Sequence, residues 1–175
     1  MIVLILSYQI SSITIETAVA LIGGNDMEEQ KYDALKLENQ ICFPLYAAAR
    51  EVVKQYKPHL DQLDLTYTQY IVMLVLWERK ELTTKELGQR LHLDSGTLTP
   101  LLKKMEGNGL LTRKRCAEDE RNLEVTITEK GDQLKELALG IPAEFKKDLN
   151  LDTEETMILY QILYKLLGEN TQLFE

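Results

Sequence analysis

From Leu37 to Tyr56 apolar residues return every three or four positions, with Leu37, Ile41, Leu45, Ala48 and Val52 on one line and Cys42, Tyr46, Ala49, Val53 and Tyr56 on the next. That spacing predicts an amphipathic helix with a wide apolar face, and Pro58 predicts its end. Tyr67 to Arg79 carries Val72, Leu74, Val75 and Leu76 and is too apolar for a surface, so it is expected at the centre of the core. Thr83-Thr84-Lys85-Glu86 has the form of a capping box, opening a helix of about two turns that ends near Leu91. After His92-Leu93-Asp94, Asp94 or Ser95 can cap another helix with Leu98, Leu101, Leu102 and Met105 inside, stopped by Gly107-Asn108-Gly109.

Two β-prone pieces follow, 111–115 and 123–128, joined by a polar loop from Cys116 to Asn122. Helical patterns then run from Glu129 to Lys147 and from Thr153 to Leu167, with a break at Asp148-Leu149-Asn150 and Asp152 or Thr153 as cap. The chain is therefore expected to be mainly α with a small β-hairpin. A two-helix turn followed by a basic hairpin is the order of a winged helix-turn-helix, whose second helix enters the major groove. The inner stripe of that helix leaves Ser95, Thr97, Thr99, Lys103 and Lys104 outside, able to reach bases or phosphates.

Charge changes the picture locally. The chain of 175 residues has a net charge of −8, which taken whole argues against nucleic acid. Between Ser95 and Arg115, however, Lys103, Lys104, Arg113, Lys114 and Arg115 face the single acid Glu106. A basic island in an acidic protein marks a surface that meets an anion, although a solvated face would look the same. Arg121 at the tip of the hairpin can enter a narrow minor groove, with Asp119 orienting it or the neighbouring turn. Taken singly, Arg113, Lys114, Arg115 and Arg121 could merely solubilise a hairpin; their coincidence with the helix-turn-helix favours DNA.

Other features bound the chemistry. The apolar run Ile71 to Trp77 falls short of the roughly 18 residues a membrane span needs, so no membrane role is expected. Two cysteines 74 positions apart suit a reducing cytoplasm with free thiols rather than a disulfide scaffold. His59 and His92 stand alone, and neither a metal site nor a cofactor is expected. Residues 1–26 hold no Lys or Arg and lack the form of a secretory signal. Gly23-Gly24 can encode a ribosome-binding sequence just ahead of Met27, so Met27 is the expected start and 1–26 an upstream or disordered extension.

Pro44, two residues after Cys42, is most comfortable at the first helical position; Cys42 is thus expected in the last residues before a helix or at its start, where a thiolate is favoured. An inert buried cysteine is the alternative.

The stretches Leu82-Thr83, Glu86-Leu87, 94–102 (Asp-Ser-Gly-Thr-Leu-Thr-Pro-Leu-Leu), Met105-Glu106, Gly109-Leu110 and Asp119-Glu120-Arg121 resemble the MarR family of dimeric bacterial repressors. Residues 37–43 (Leu-Glu-Asn-Gln-Ile-Cys-Phe), Leu45-Tyr46 and 65–70 (Leu-Thr-Tyr-Thr-Gln-Tyr) are similar to its organic-hydroperoxide-sensing, OhrR-like subgroup, and the likeness runs from about Leu35 to Leu167. The resemblance implies a MarR-type winged helix-turn-helix at 65–128, with 27–64 and 129–175 forming a helical dimerisation region. It implies a homodimer on a pseudo-palindromic operator, repressing when Cys42 is reduced and releasing when an organic hydroperoxide oxidises it, with a low-molecular-weight thiol as second reactant. Tyr56 and Tyr67 match the family's thiolate-stabilising tyrosines. Fourteen residues of straight helix span about 21 Å, so if Tyr56 meets a Cys42 sulfur, a second subunit supplies one of them. Cys116 does not fit the family's resolving cysteine; it is either a loop residue without function or an oxidisable thiol. Two rival functions stay open: a repressor gated by a small aromatic ligand, and a thiol peroxidase, which would leave the basic helix and wing unexplained. The expectation is a regulator, not an enzyme.

Overall fold

The computed structural model describes residues 30–115 and 123–168. The chain groups into two units, one up to Ala48 and the other from Ala49, and each is described for itself. In the first, two short 3-10 turns, Gln30–Leu35 and Leu37–Asn39, lead into helix α1 (Cys42–Asp61). The stripe that predicts one helix from Leu37 thus begins in a 3-10 turn, and the α-helix starts only at Cys42. Leu35, Leu37, Ile41 and Tyr46 of this unit are exposed.

The second unit is built around α2 (Tyr67–Arg79), followed by β1 (Glu81–Thr83), α3 (Thr84–Leu91), α4 (Ser95–Gly107), β2 (Leu111–Arg115) and β3 (Leu123–Ile127). The chain continues with α5 (Glu129–Ala138), α6 (Ile141–Asp148) and α7 (Thr153–Leu166). The three strands form an antiparallel sheet in the order β1-β3-β2, with Leu82 opposite Val125 and Arg113 opposite Val125 on the other side. Val72, Met73, Leu76, Leu87, Leu102, Met105, Leu111 and Val125 fill the core between α2, the helix pair and the sheet. Leu74, expected inside, faces out. Thr66 caps α2 by accepting from the Gln69 amide while Gln69 Oε1 accepts from the Thr66 amide, a reciprocal cap that frees neither group.

Three departures from the sequence reading have physical causes. Pro58 does not end α1: a proline removes one amide bond, and burial of Leu60 and Leu63 holds the last turn in place. The helix runs on to Asp61, and just beyond it Asp64, with a φ of 51°, turns the chain while the Leu65 amide donates to Leu60 O. The stretch from Glu129 to Lys147 is two helices, because Gly140 and Pro142 interrupt the amide ladder and Ile141 is anchored in the core. Strand β1 was not foreseen, since three residues carry no periodicity and the strand exists only by pairing with β3.

Packing between α5 and the rest is close. Trp77 Nε1 donates to Gly131 O at 2.9 Å, and a Cβ at Gly131 would lie 2.2 Å from Leu110 O, so only glycine fits there.

Candidate nucleic-acid interface and thiol site

Helix α3 opens on the expected capping box: Thr83 Oγ1 accepts from the Glu86 amide and Glu86 accepts from the Thr83 amide and hydroxyl, which holds the Glu86 carboxyl below its usual range. It closes on His92 in the left-handed region, φ 51°, with the Leu93 amide donating to Gly88 O at 2.9 Å. Gly88 is needed for this turn, since a Cβ there would sit 2.8 Å from Leu93 O. The angle between α3 and α4 is thereby fixed by backbone groups.

Helix α4 is capped by Asp94, which accepts from both the amide and the hydroxyl of Thr97, each at 2.9 Å. These bonds, the backbone one foremost, hold the Asp94 carboxyl below its usual range. Leu98, Leu102 and Met105 are buried, and Ser95, Thr97, Thr99, Lys103 and Lys104 are exposed on the outer side. Thr97 differs from the expectation in one respect: its hydroxyl proton is already given to Asp94. A groove of about 830 Å³ separates α3 from α4, with Lys85 and Gln89 on one wall and Ser95 and Thr99 on the other. Lys85 and Gln89 escaped the sequence reading, although both fall opposite the buried Leu87.

On the wing, Arg113 takes a role the sequence did not disclose. Its guanidinium donates to Glu106 Oε2 from Nη2 at 2.7 Å and from Nε at 3.1 Å, and its amide donates to Oε1 at 2.9 Å. The pair ties β2 to the last turn of α4, and the Arg113 side chain foremost keeps the Glu106 carboxyl below its usual range. Lys114 and Arg115 are exposed on the same strand. Cys116, Asp119 and Arg121 lie outside the described residues.

Cys42 is the first residue of α1, exposed and not in a disulfide, and Pro44 stands third, where a helical amide has no partner inside the helix in any case. In the second unit Tyr56 and Tyr67 come together with ring centroids 5.0 Å apart. Tyr56 also stacks on Phe145 at 3.9 Å and 23° and lies 5.9 Å from Tyr70. Burial first, then the neighbouring phenols Tyr67 and Tyr70, push the Tyr56 hydroxyl up to about 12, and burial raises Tyr67 and Tyr70 too. All three phenols therefore keep their protons, and remain donors, across the neutral range. His59 is half-buried, with Nε2 3.0 Å from Asp148 Oδ2. Among the described residues no cluster of His, Cys, Asp or Glu could hold a metal, and no helix is long and apolar enough to cross a membrane.

A fixed helix pair, an exposed hydroxyl and lysine face, and a hairpin braced to the second helix define a winged helix-turn-helix protein. Residues 54–137 match the family model of the transcriptional regulators SarA and Rot. The chain is 52% identical over 139 residues to the organic hydroperoxide resistance transcriptional regulator of Bacillus subtilis, covering 79% of this chain and 95% of that one. Two solved structures of AbfR bound to DNA are similar. The reduced form has a TM-score of 0.65 and 35% identity over 79% of this chain and 96% of that one. The overoxidised form has 0.63 and 34%, over 79% and 97%. The chain belongs to the MarR family of winged helix-turn-helix transcriptional regulators, in the subgroup of the organic hydroperoxide resistance regulator.

Proposed function

We propose that this regulator is a redox-sensing repressor that holds operator DNA as a homodimer while Cys42 is reduced and lets go when an organic hydroperoxide oxidises it. The observation that carries the reading is Cys42 itself, exposed and not in a disulfide on the first residue of α1. An exposed thiol in that position is open to a peroxide arriving from solution. The thiolate attacks the terminal oxygen of the hydroperoxide and the O–O bond breaks. The alkoxide leaves with a proton as the alcohol, and the sulfur, oxidised by two electrons, becomes a sulfenic acid. A low-molecular-weight thiol then condenses with it, releasing water and leaving a mixed disulfide. Tyr56 and Tyr67 supply protonated hydroxyls that stabilise the thiolate across the subunit boundary; losing the thiolate removes what those hydroxyls hold, which biases the dimer towards a spacing that no longer fits the operator.

On the DNA side, Ser95, Thr97 and Thr99 meet the major groove and Lys103, Lys104 and Arg115 the phosphates. Arg121, with Asp119, serves the minor groove. Arg113 acts by bracing the wing through Glu106. Residues 65–128 are the DNA-binding part, 27–64 and 129–175 the dimerisation part, and the protein works in the cytoplasm.

One observation favours a second reading, release by a small aromatic ligand: a cavity of about 550 Å³ beside Tyr67, with Leu60 and Leu65 on its floor and Lys54, Lys57 and Lys104 on its rim. A gel shift on the DNA upstream of the gene separates the two. Wild type is expected to release after cumene hydroperoxide, and Cys42→Ser to stay bound under the same treatment. Release of Cys42→Ser by an aromatic acid, with no effect of peroxide on wild type, would replace the thiol reading by the ligand one.

A further inference from the structure

Helix α6 is an eight-residue piece with its own supports, and the DNA-binding face does not use it. Gly140 precedes it, Pro142 stands in its first turn, Ile141 is fully buried, and Asn150 at φ 49° turns the chain away after it. It meets α1 at two points. The Tyr56 ring lies on the Phe145 ring at 3.9 Å, and three residues further along both helices His59 Nε2 lies 3.0 Å from Asp148 Oδ2. A spacing of three keeps both members of each helix on one face, so the contacts form two rungs of one ladder. Phe145 is buried, whereas Asp148 is exposed and meets His59. The titratable groups beside the Tyr56 ring are Tyr67 and Tyr70 from α2, and one turn further on His59 of its own helix faces Asp148 of α6.

We infer that Phe145 and the His59–Asp148 pair are positioning residues for the sensor: they fix the plane of the Tyr56 ring, and through it the direction in which its hydroxyl donates to the thiolate of Cys42 in a second copy of the chain. The inference rests on the sensor reading above. A phenol held by its ring faces can swing about its axis, and a stacked partner on one side with a hydrogen-bonded rung one turn away removes that freedom. Phe145 lies against the Tyr56 ring and the pair one turn away, and on this inference their effect passes through Tyr56.

The test is the single-turnover rate of Cys42 oxidation by cumene hydroperoxide as a function of pH, in the full-length reduced protein. Phe145→Leu keeps an apolar side chain, and Asp148→Asn changes only an exposed group, so both are expected to fold and to bind operator as wild type does. Phe145→Leu is expected to raise the midpoint of the pH–rate profile and slow oxidation at neutral pH by about threefold to tenfold, the range of half to one unit in the thiol titration. Asp148→Asn is expected to act in the same direction, more weakly. In a Tyr56→Phe background neither change should add anything, because the group they position is gone. An unmoved midpoint in folded Phe145→Leu, or an equal effect with and without the Tyr56 hydroxyl, would overturn the inference while leaving the sensor reading intact. A Tyr56→Phe profile identical to wild type would overturn that reading, and the inference with it.

Discussion

The phenol of Tyr56 gives a direct handle on the packing around it. Its pKa is raised from 10.0 to about 12, with burial the first cause. Below the unfolded value both states keep the proton and the stability this cluster contributes is fully present. Between pH 10 and about 12 the unfolded chain loses the proton that the folded chain keeps, so stability falls as pH rises through that window. Thermal unfolding of the reduced protein should therefore hold steady into mild alkali and then drop, and Tyr56→Phe should flatten part of the drop. A Tyr56→Phe curve that falls as steeply as wild type would show the shift to be absent. The residues of the site were legible to different degrees. Cys42 could be placed at a helix start from its neighbours, although the helix begins two residues ahead of Pro44 rather than at it, and the exposed face of α4 followed from the stripe of Leu98, Leu102 and Met105. Thr97 and Arg113 were misjudged in one respect, because their partners Asp94 and Glu106 depend on rotamers and on the register across the Asn108–Gly109 turn. Phe145 could not be read at all, since nothing local links it to Tyr56, 89 positions away.

At the scale of elements, sequence signals succeeded where a cap decides locally and failed where burial overrides a breaker. The Thr83 box and the Asp94 cap each satisfy amides within three residues, so α3 and α4 begin where the sequence says. Pro58 looked like an end because its local cost is visible and the compensating burial of Leu60 and Leu63 is not. Gly131 is the opposite case, a glycine inside a helical pattern whose reason lies in another element. Gly131→Ala would push a methyl against Leu110 O, beside the Trp77 hydrogen bond, and overpacking of this kind costs about 1–3 kcal/mol, here at the upper end because the obstacle is backbone. Denaturant unfolding checks this: a midpoint within error of wild type would mean α5 can move away freely, contrary to the geometry. The same substitution at Gly107, with nothing near it, should be close to neutral by comparison.

Among the described residues, the last helix of the whole molecule is left uncovered by a single chain. Helix α7 has no buried residue, and Met157, Ile158, Leu159, Ile162, Leu166 and Leu167 are each between 43% and 67% exposed. A soluble monomer rarely shows so many large apolar groups along one helix, and a symmetric partner is the simplest cover. On the proposed reading two winged units then bind two half-sites of one operator, so affinity depends on the dimer far more than on any single side chain. On the same reading, phosphate contacts from Lys103, Lys104 and Arg115 in both copies would add to make that affinity steeply salt-dependent. Ile162→Glu combined with Leu159→Glu places charges in the expected interface without touching α4 or the wing. Sedimentation at micromolar concentration should show a monomer with its helical content kept, and operator affinity should fall by about two to four decades, the range lost when linked sites act singly. A variant that stays dimeric with full operator affinity would show that α7 does not join the subunits. A dimer lost with affinity unchanged would instead show that one winged unit suffices for the DNA, and the palindromic operator would no longer be required.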